Sequence, residues 1–104
     1  MTAAEVKAKI LAETGGRHHF EYAPTIDLRA SLVEPELREY LNIDTNIPEM
    51  LWHVFEEEPK EKKGYSIVFD ENADAFGLAV RDIKNGVDVC LGCDGTFLQT
   101  LESM

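Results

Sequence analysis

The sequence predicts an α+β fold: an antiparallel sheet of about five or six strands with an amino-terminal and a carboxy-terminal helix packed on one face. Three alternating runs in the carboxy-terminal half carry this expectation. Tyr65, Ile67 and Phe69 alternate with polar residues, Phe76, Leu78 and Val80 do so again, and Val87, Val89 and Leu91 form a third run after Asn85-Gly86. Each run has one apolar face to bury. The stripe Phe97, Leu98, Leu101 and Met104 then supplies a helix to cover the meander.

Taken in order, Thr2 and Glu5 have the spacing of a capping box, Ala3, Val6, Ile10 and Leu11 form an apolar stripe, and Gly15-Gly16 permits a left-handed stop, which predicts a helix over residues 3–14. Phe20 and Tyr22 alternate with charged neighbours until Pro24. Ile26, Leu28, Ala30 and Leu32 alternate with Asp27, Arg29 and Ser31, predicting a strand. Residues 34–42 fit a short helix or turn, with Pro35 at the first helical position and Leu37, Tyr40 and Leu41 at helical spacing. Residues 49–58 fit either helix or strand; Trp52, Val54 and Phe55 favour a strand buried on both faces. Residues 56–63 read as a charged connection. A type I′ turn at Asn85-Gly86 would set Lys84 opposite Val87, Asp82 opposite Val89 and Val80 opposite Leu91. Asp94 is placed to cap the last helix.

No internal repeat or linker divides the 104 residues, so one globular domain is expected over 1–104, as a monomer or small homo-oligomer. With 44% hydrophobic residues the chain has the apolar surface that folding needs. No apolar run approaches the ~20 residues of a membrane span, and the amino terminus interleaves Lys7 and Lys9 with apolar residues where a signal peptide would have a basic stretch and then an apolar block. The expected compartment is the cytoplasm, where Cys90 and Cys93 remain thiols.

Twenty acids face ten bases, for a net charge of −10. Residues 34–58 hold eight of the acids (Glu34, Glu36, Glu39, Asp44, Glu49, Glu56, Glu57, Glu58) against one base, Arg38, a local net of −7. Phosphate backbones need clustered Lys and Arg, so neither nucleic acid nor an anionic membrane is an expected partner. The complement of this segment is a basic protein surface. Glu34, Glu36, Glu39, Glu56, Glu57 and Glu58, with Tyr40 and Trp52 as aromatic anchors among them, form the candidate partner-binding set. The competing account makes the two rings core and the glutamates its solvated rim.

Residues with chemical potential are few. Cys90-Leu91-Gly92-Cys93 is a CxxC that could clasp half of a tetrahedral zinc or cycle between thiol and disulfide. It lacks a second ligand pair, because His18 and His19 are adjacent and would point to opposite faces of a strand, and it ends a strand where a thioredoxin-like motif opens a helix. Asp70, Asn72 and Asp74 match the first ligands of an EF-hand loop, but Ala75 and Arg81 stand where Gly and Glu are required. His53, among aromatics, could serve acid–base chemistry or simply be packed and hydrogen-bonded.

The chain therefore reads as a non-enzymatic cytoplasmic interaction module without a cofactor, whose acidic surface binds a basic protein. In general character, small and acidic, it resembles the immunity proteins that neutralise basic nuclease toxins, although no motif is diagnostic of them. A small metal or redox protein using Cys90 and Cys93 is the alternative.

Overall fold

Helix α1 (Ala3–Thr14) starts at a reciprocal capping box, the Thr2 hydroxyl accepting from Glu5 N and the Thr2 N–H donating to the Glu5 carboxylate, each at 3.2 Å. It ends on Gly15, whose φ of 63° is the left-handed cap that glycine adopts without a Cβ penalty. The structure, a computed structural model, describes residues 1–21, 26–58, 63–82 and 86–104. After α1 come α2 (Leu28–Ser31), β1 (Leu32–Asn42), β2 (Pro48–Glu58), β3 (Lys63–Asp70), β4 (Ala75–Asp82), β5 (Val87–Gly95) and α3 (Phe97–Glu102).

Neighbouring strands pair antiparallel in chain order. The expected open sheet is corrected in one respect: parallel pairing of Leu41 with Val89 and Asn42 with Cys90 closes the five strands into a barrel. Closure gives the sheet two buried faces. One residue from each strand (Tyr40, Leu51, Val68, Ala79, Cys90) meets in a small cluster. Trp52, Ile67, Phe69 and Phe76, with Val54 and Phe55 at a register break in β2, join a larger cluster shared with Val6 and Ile10 of α1 and Phe97 and Leu101 of α3. Phe97 is fully buried, edge-on to Phe55 at 6.4 Å and to Phe76 at 5.6 Å between ring centroids. Such T-shaped pairs add to the gain from area burial, because a positive ring edge meets a negative face.

The two helices are also tied together. Both oxygens of the Glu13 carboxylate, on the last turn of α1, accept from Phe97 N (3.0 Å) and Leu98 N (3.2 Å) at the start of α3. The cap of α3 is Thr96, in a capping box with Gln99, and not Asp94, which is exposed on β5.

Three local expectations need correction. Residues 28–31 form a helical turn instead of a strand. Asp27 is its N-cap, accepting from Arg29 N at 3.0 Å, and Leu28 and Ser31, three residues apart, are the buried pair. Residues 34–42 form a strand instead of a helix; Pro35 sits in the register break between Leu32 and Glu36, where no ladder N–H is required. Glu56 and Glu57 belong to β2, so the charged connection is shorter than residues 56–63; residues 59–62 lie outside the described residues. So do Tyr22, Pro24, Lys84 and Asn85. Beyond the last of these, Val80 faces Val89 and Asp82 faces Val87, a register two residues from the expected one. An even shift keeps every side chain on its expected face.

Candidate docking face

On β1 the side chains of Leu37, Glu39 and Leu41 share a face with Trp52, Met50 and Pro48, their cross-strand partners on β2. Trp52 is covered. Beyond it the face is open, with Leu37 42% and Met50 57% exposed, and the connecting turn at its end exposes Ile43 and Ile47, 56% and 59%. Val87 and Leu91, flanking Val89 at the parallel seam, are partly exposed and extend the apolar strip across β5. Glu39, opposite Met50, and Asp44, in the turn, are exposed acids of this hairpin, and neither makes an ion pair among the described residues.

The turn that carries the two isoleucines is held from within. The Asn42 side-chain oxygen accepts from Asp44 N (2.8 Å) and Thr45 N (3.1 Å), its carbonyl accepts from Asn46 N (2.8 Å), and its N–H donates to Ile47 O (3.0 Å). Asn46 takes the left-handed conformation at φ 59°, which asparagine tolerates better than most residues. Ile43 and Ile47 are thus presented on a preorganised loop, which lowers the entropy lost when such side chains are covered.

The acidic set is distributed differently from what the linear sequence implies. Glu34 pairs with Lys7 of α1, and Glu36 with Arg38 at 3.5 Å. Glu57 accepts from Tyr65 N at 3.3 Å. The side chain of Glu58 lies outside the described residues. Tyr40 and Trp52 are buried, so neither ring is presented on the surface. The Trp52 indole N–H has no hydrogen-bond partner among the described residues.

Tyr40 and Glu56 belong instead to a buried network around His53. The imidazole is 3% exposed, with Nδ1 2.8 Å from the Tyr40 hydroxyl and Nε2 2.9 Å from the Glu56 carboxylate. A carboxylate can only accept, so Nε2 carries the proton; neutral Nδ1 then accepts from the tyrosine O–H. Every polar atom of the ring is satisfied, and the arrangement orders the barrel interior. Burial is the main cause that pushes the imidazole below its ordinary value of 6.5; the Glu56 hydrogen bond works against it, and the Arg38 charge adds to it. Burial, with the nearby Asp88 charge, also pushes the Tyr40 phenol well above its ordinary value.

These shifts give a pH prediction. His53 is neutral in the folded protein but takes a proton in the unfolded chain once pH falls below 6.5, so stability falls with pH from that point. Urea denaturation between pH 7.5 and 5 is expected to show this decline, with a limiting slope of about 1.4 kcal/mol per pH unit for one proton. His53→Gln removes that component of the slope while costing about 1–3 kcal/mol at neutral pH through the broken hydrogen bonds. An equal slope in both proteins would contradict the assignment.

The Asp70 turn needs no ion to explain it. The Asp70 carboxylate accepts from Asn72 N (3.0 Å) and Ala73 N (3.4 Å), while Asp74 pairs with Lys9 of α1 at 2.9 Å. Among the described residues, no three His, Cys, Asp or Glu side chains converge in a way that could hold a metal ion. Cys90 and Cys93 are free thiols with their sulfurs 3.8 Å apart. No helix among the described residues is long and apolar enough to cross a membrane.

No protein-family model matches the chain, and neither a curated protein nor a solved structure matches it.

Proposed function

We propose that the protein is a non-enzymatic docking module whose contact face is the exposed side of the β1–β2 hairpin, with a basic protein as its partner. The observation that carries the reading is the concentration of exposed Leu37, Ile43, Ile47 and Met50 on one preorganised hairpin. Exposed apolar residues grouped on one element mark an interaction site more often than residues scattered singly over a surface do. The sign of the partner follows from charge: Glu39 and Asp44 are exposed on the hairpin and its turn, and residues 34–58 carry a net of −7. Lys and Arg on the partner would meet these carboxylates, and its apolar side chains would cover the strip. The reading keeps the basic partner that the sequence implies and moves the anchors from Tyr40 and Trp52 to Leu37, Ile43, Ile47 and Met50. A partner like the basic toxins that immunity proteins neutralise has the required chemistry.

Site-specific photo-cross-linking in cells that produce the protein tests this. A photoreactive residue at Ile47 or Met50 is expected to capture one and the same basic protein, and one at Glu102, exposed on α3, to capture none. Leu37→Asp combined with Met50→Asp should weaken association at least roughly tenfold with the thermal midpoint little changed, as central apolar contacts carry most interface energy. Capture of a second copy of this chain or of an acidic protein, or equal capture from Glu102, would overturn the proposal.

A further inference from the structure

Residues i and i+3 of a regular strand point to opposite faces, yet Cys90 and Cys93, both on β5, bring their sulfurs to 3.8 Å. A bulge makes this possible. Cys90 faces Ala79 and Cys93 faces Gly77, so four residues of β5 span three of β4. Two glycines permit the bulge. Gly92 has φ 126°, a conformation other residues rarely adopt, and its carbonyl sits where a Cβ on Gly77 would be, 1.8 Å from that position. The Gly92 N–H donates to Cys90 Sγ at 3.4 Å. Cys90 is 2% exposed and Cys93 partly exposed, so Cys93 is the more accessible residue of the pair.

We propose that Cys90 and Cys93 are a reversible redox dithiol, closed to a disulfide by exchange with a low-molecular-weight disulfide. This activity goes beyond the docking role and uses residues outside that face. With Cys90 ionised, Cys93, the more exposed residue of the pair, attacks one sulfur of the external disulfide as its proton passes to the Cys90 thiolate across the S–H···S contact. The external S–S bond breaks, a Cys93 mixed disulfide forms, and the first small thiolate leaves. Cys90 then loses its proton and attacks Cys93 Sγ, forming the internal disulfide and expelling the second thiolate. Two electrons pass from the protein to the external disulfide, and, counted from the neutral dithiol, the two thiol protons end on the two small thiols. In the reduced pair the hydrogen bond from Cys93, joined by that from Gly92 N and opposed by burial, brings the Cys90 thiol down to about 7, so Cys90 holds the thiolate that receives the Cys93 proton in the first step. An S–S bond is about 2.05 Å long, so closure needs the sulfurs to approach by less than about 2 Å.

The test uses native protein and oxidised glutathione. Expected are loss of both free thiols, a mass decrease of two hydrogens, a Cys90–Cys93 cross-link in the peptide map, and full return on adding reduced glutathione in excess. Cys90→Ser should stop at one glutathione adduct on Cys93, and Cys93→Ser should react at least tenfold more slowly, its remaining thiol being buried. Thiols in the native wild-type protein that react only after unfolding in urea, or a wild-type adduct that never resolves, would overturn the proposal. So would Cys90 as the adduct-bearing residue, and native wild-type protein decides the matter whether or not a variant folds.

Discussion

Gly77→Ala is expected to destabilise the protein by at least about 3 kcal/mol, a large part of the roughly 5–15 kcal/mol that holds a domain of this size folded. The added methyl would lie 1.8 Å from the Gly92 carbonyl oxygen and 2.8 Å from Cys93 Cα. Both are backbone atoms, so no rotamer change relieves the overlap. β4 and β5 must part at the bulge that sets the two cysteines side by side. Gly95→Ala is the matched control, since its methyl meets side-chain atoms and no backbone, Gln99 Oε1 at 3.2 Å and Thr100 Oγ1 at 3.9 Å, and should cost about 1 kcal/mol or less. Guanidinium denaturation of the two variants, read as a shift in midpoint at constant slope, separates them. Equal midpoints would show that β4 and β5 do not approach as described.

Phe97→Ala should cost about 3–5 kcal/mol, the range for deleting a buried aromatic ring and leaving a cavity. Phe97 joins α3 to both Phe55 of β2 and Phe76 of β4, and its own N–H is bound by Glu13 of α1. Truncation therefore loosens a helix, two strands and the α1–α3 contact together. Leu98→Ala, one residue on and only partly buried, should cost much less, and comparable losses at the two positions would contradict the packing.

The elements with strong local signals were legible in the sequence. Thr2 and Glu5 start a helix, and the alternating runs around Ile67, Leu78 and Val89 are strands, because capping and period-two patterning act within a few residues. Residues 28–31 were not legible: Leu28 and Ser31 fit a helical turn as well as Leu28 and Ala30 fit a strand, and the Asp27 cap decided the outcome. Pro35 read as a helix start because its second use, at a strand irregularity, depends on a partner strand. Barrel closure had no local trace, since it joins Leu41 to Val89 across the whole sheet. The same closure explains the misplaced anchors. With both sheet faces buried over much of their area, alternation no longer says which phase is inward, and Tyr40 and Trp52 went to opposite interiors while Leu37 and Met50 stayed outside. The charge of residues 34–58 was plain, but not that Glu56 turns in to His53 or that Glu34 is met by Lys7.

The most direct measurement of the docking account is hydrogen exchange of the protein alone and bound to the partner captured from Met50. The account predicts slowed exchange over residues 37–50, with α1 and α3 unchanged, and an affinity that falls as salt is raised. Protection centred on α1 or α3, or an affinity indifferent to salt, would contradict it.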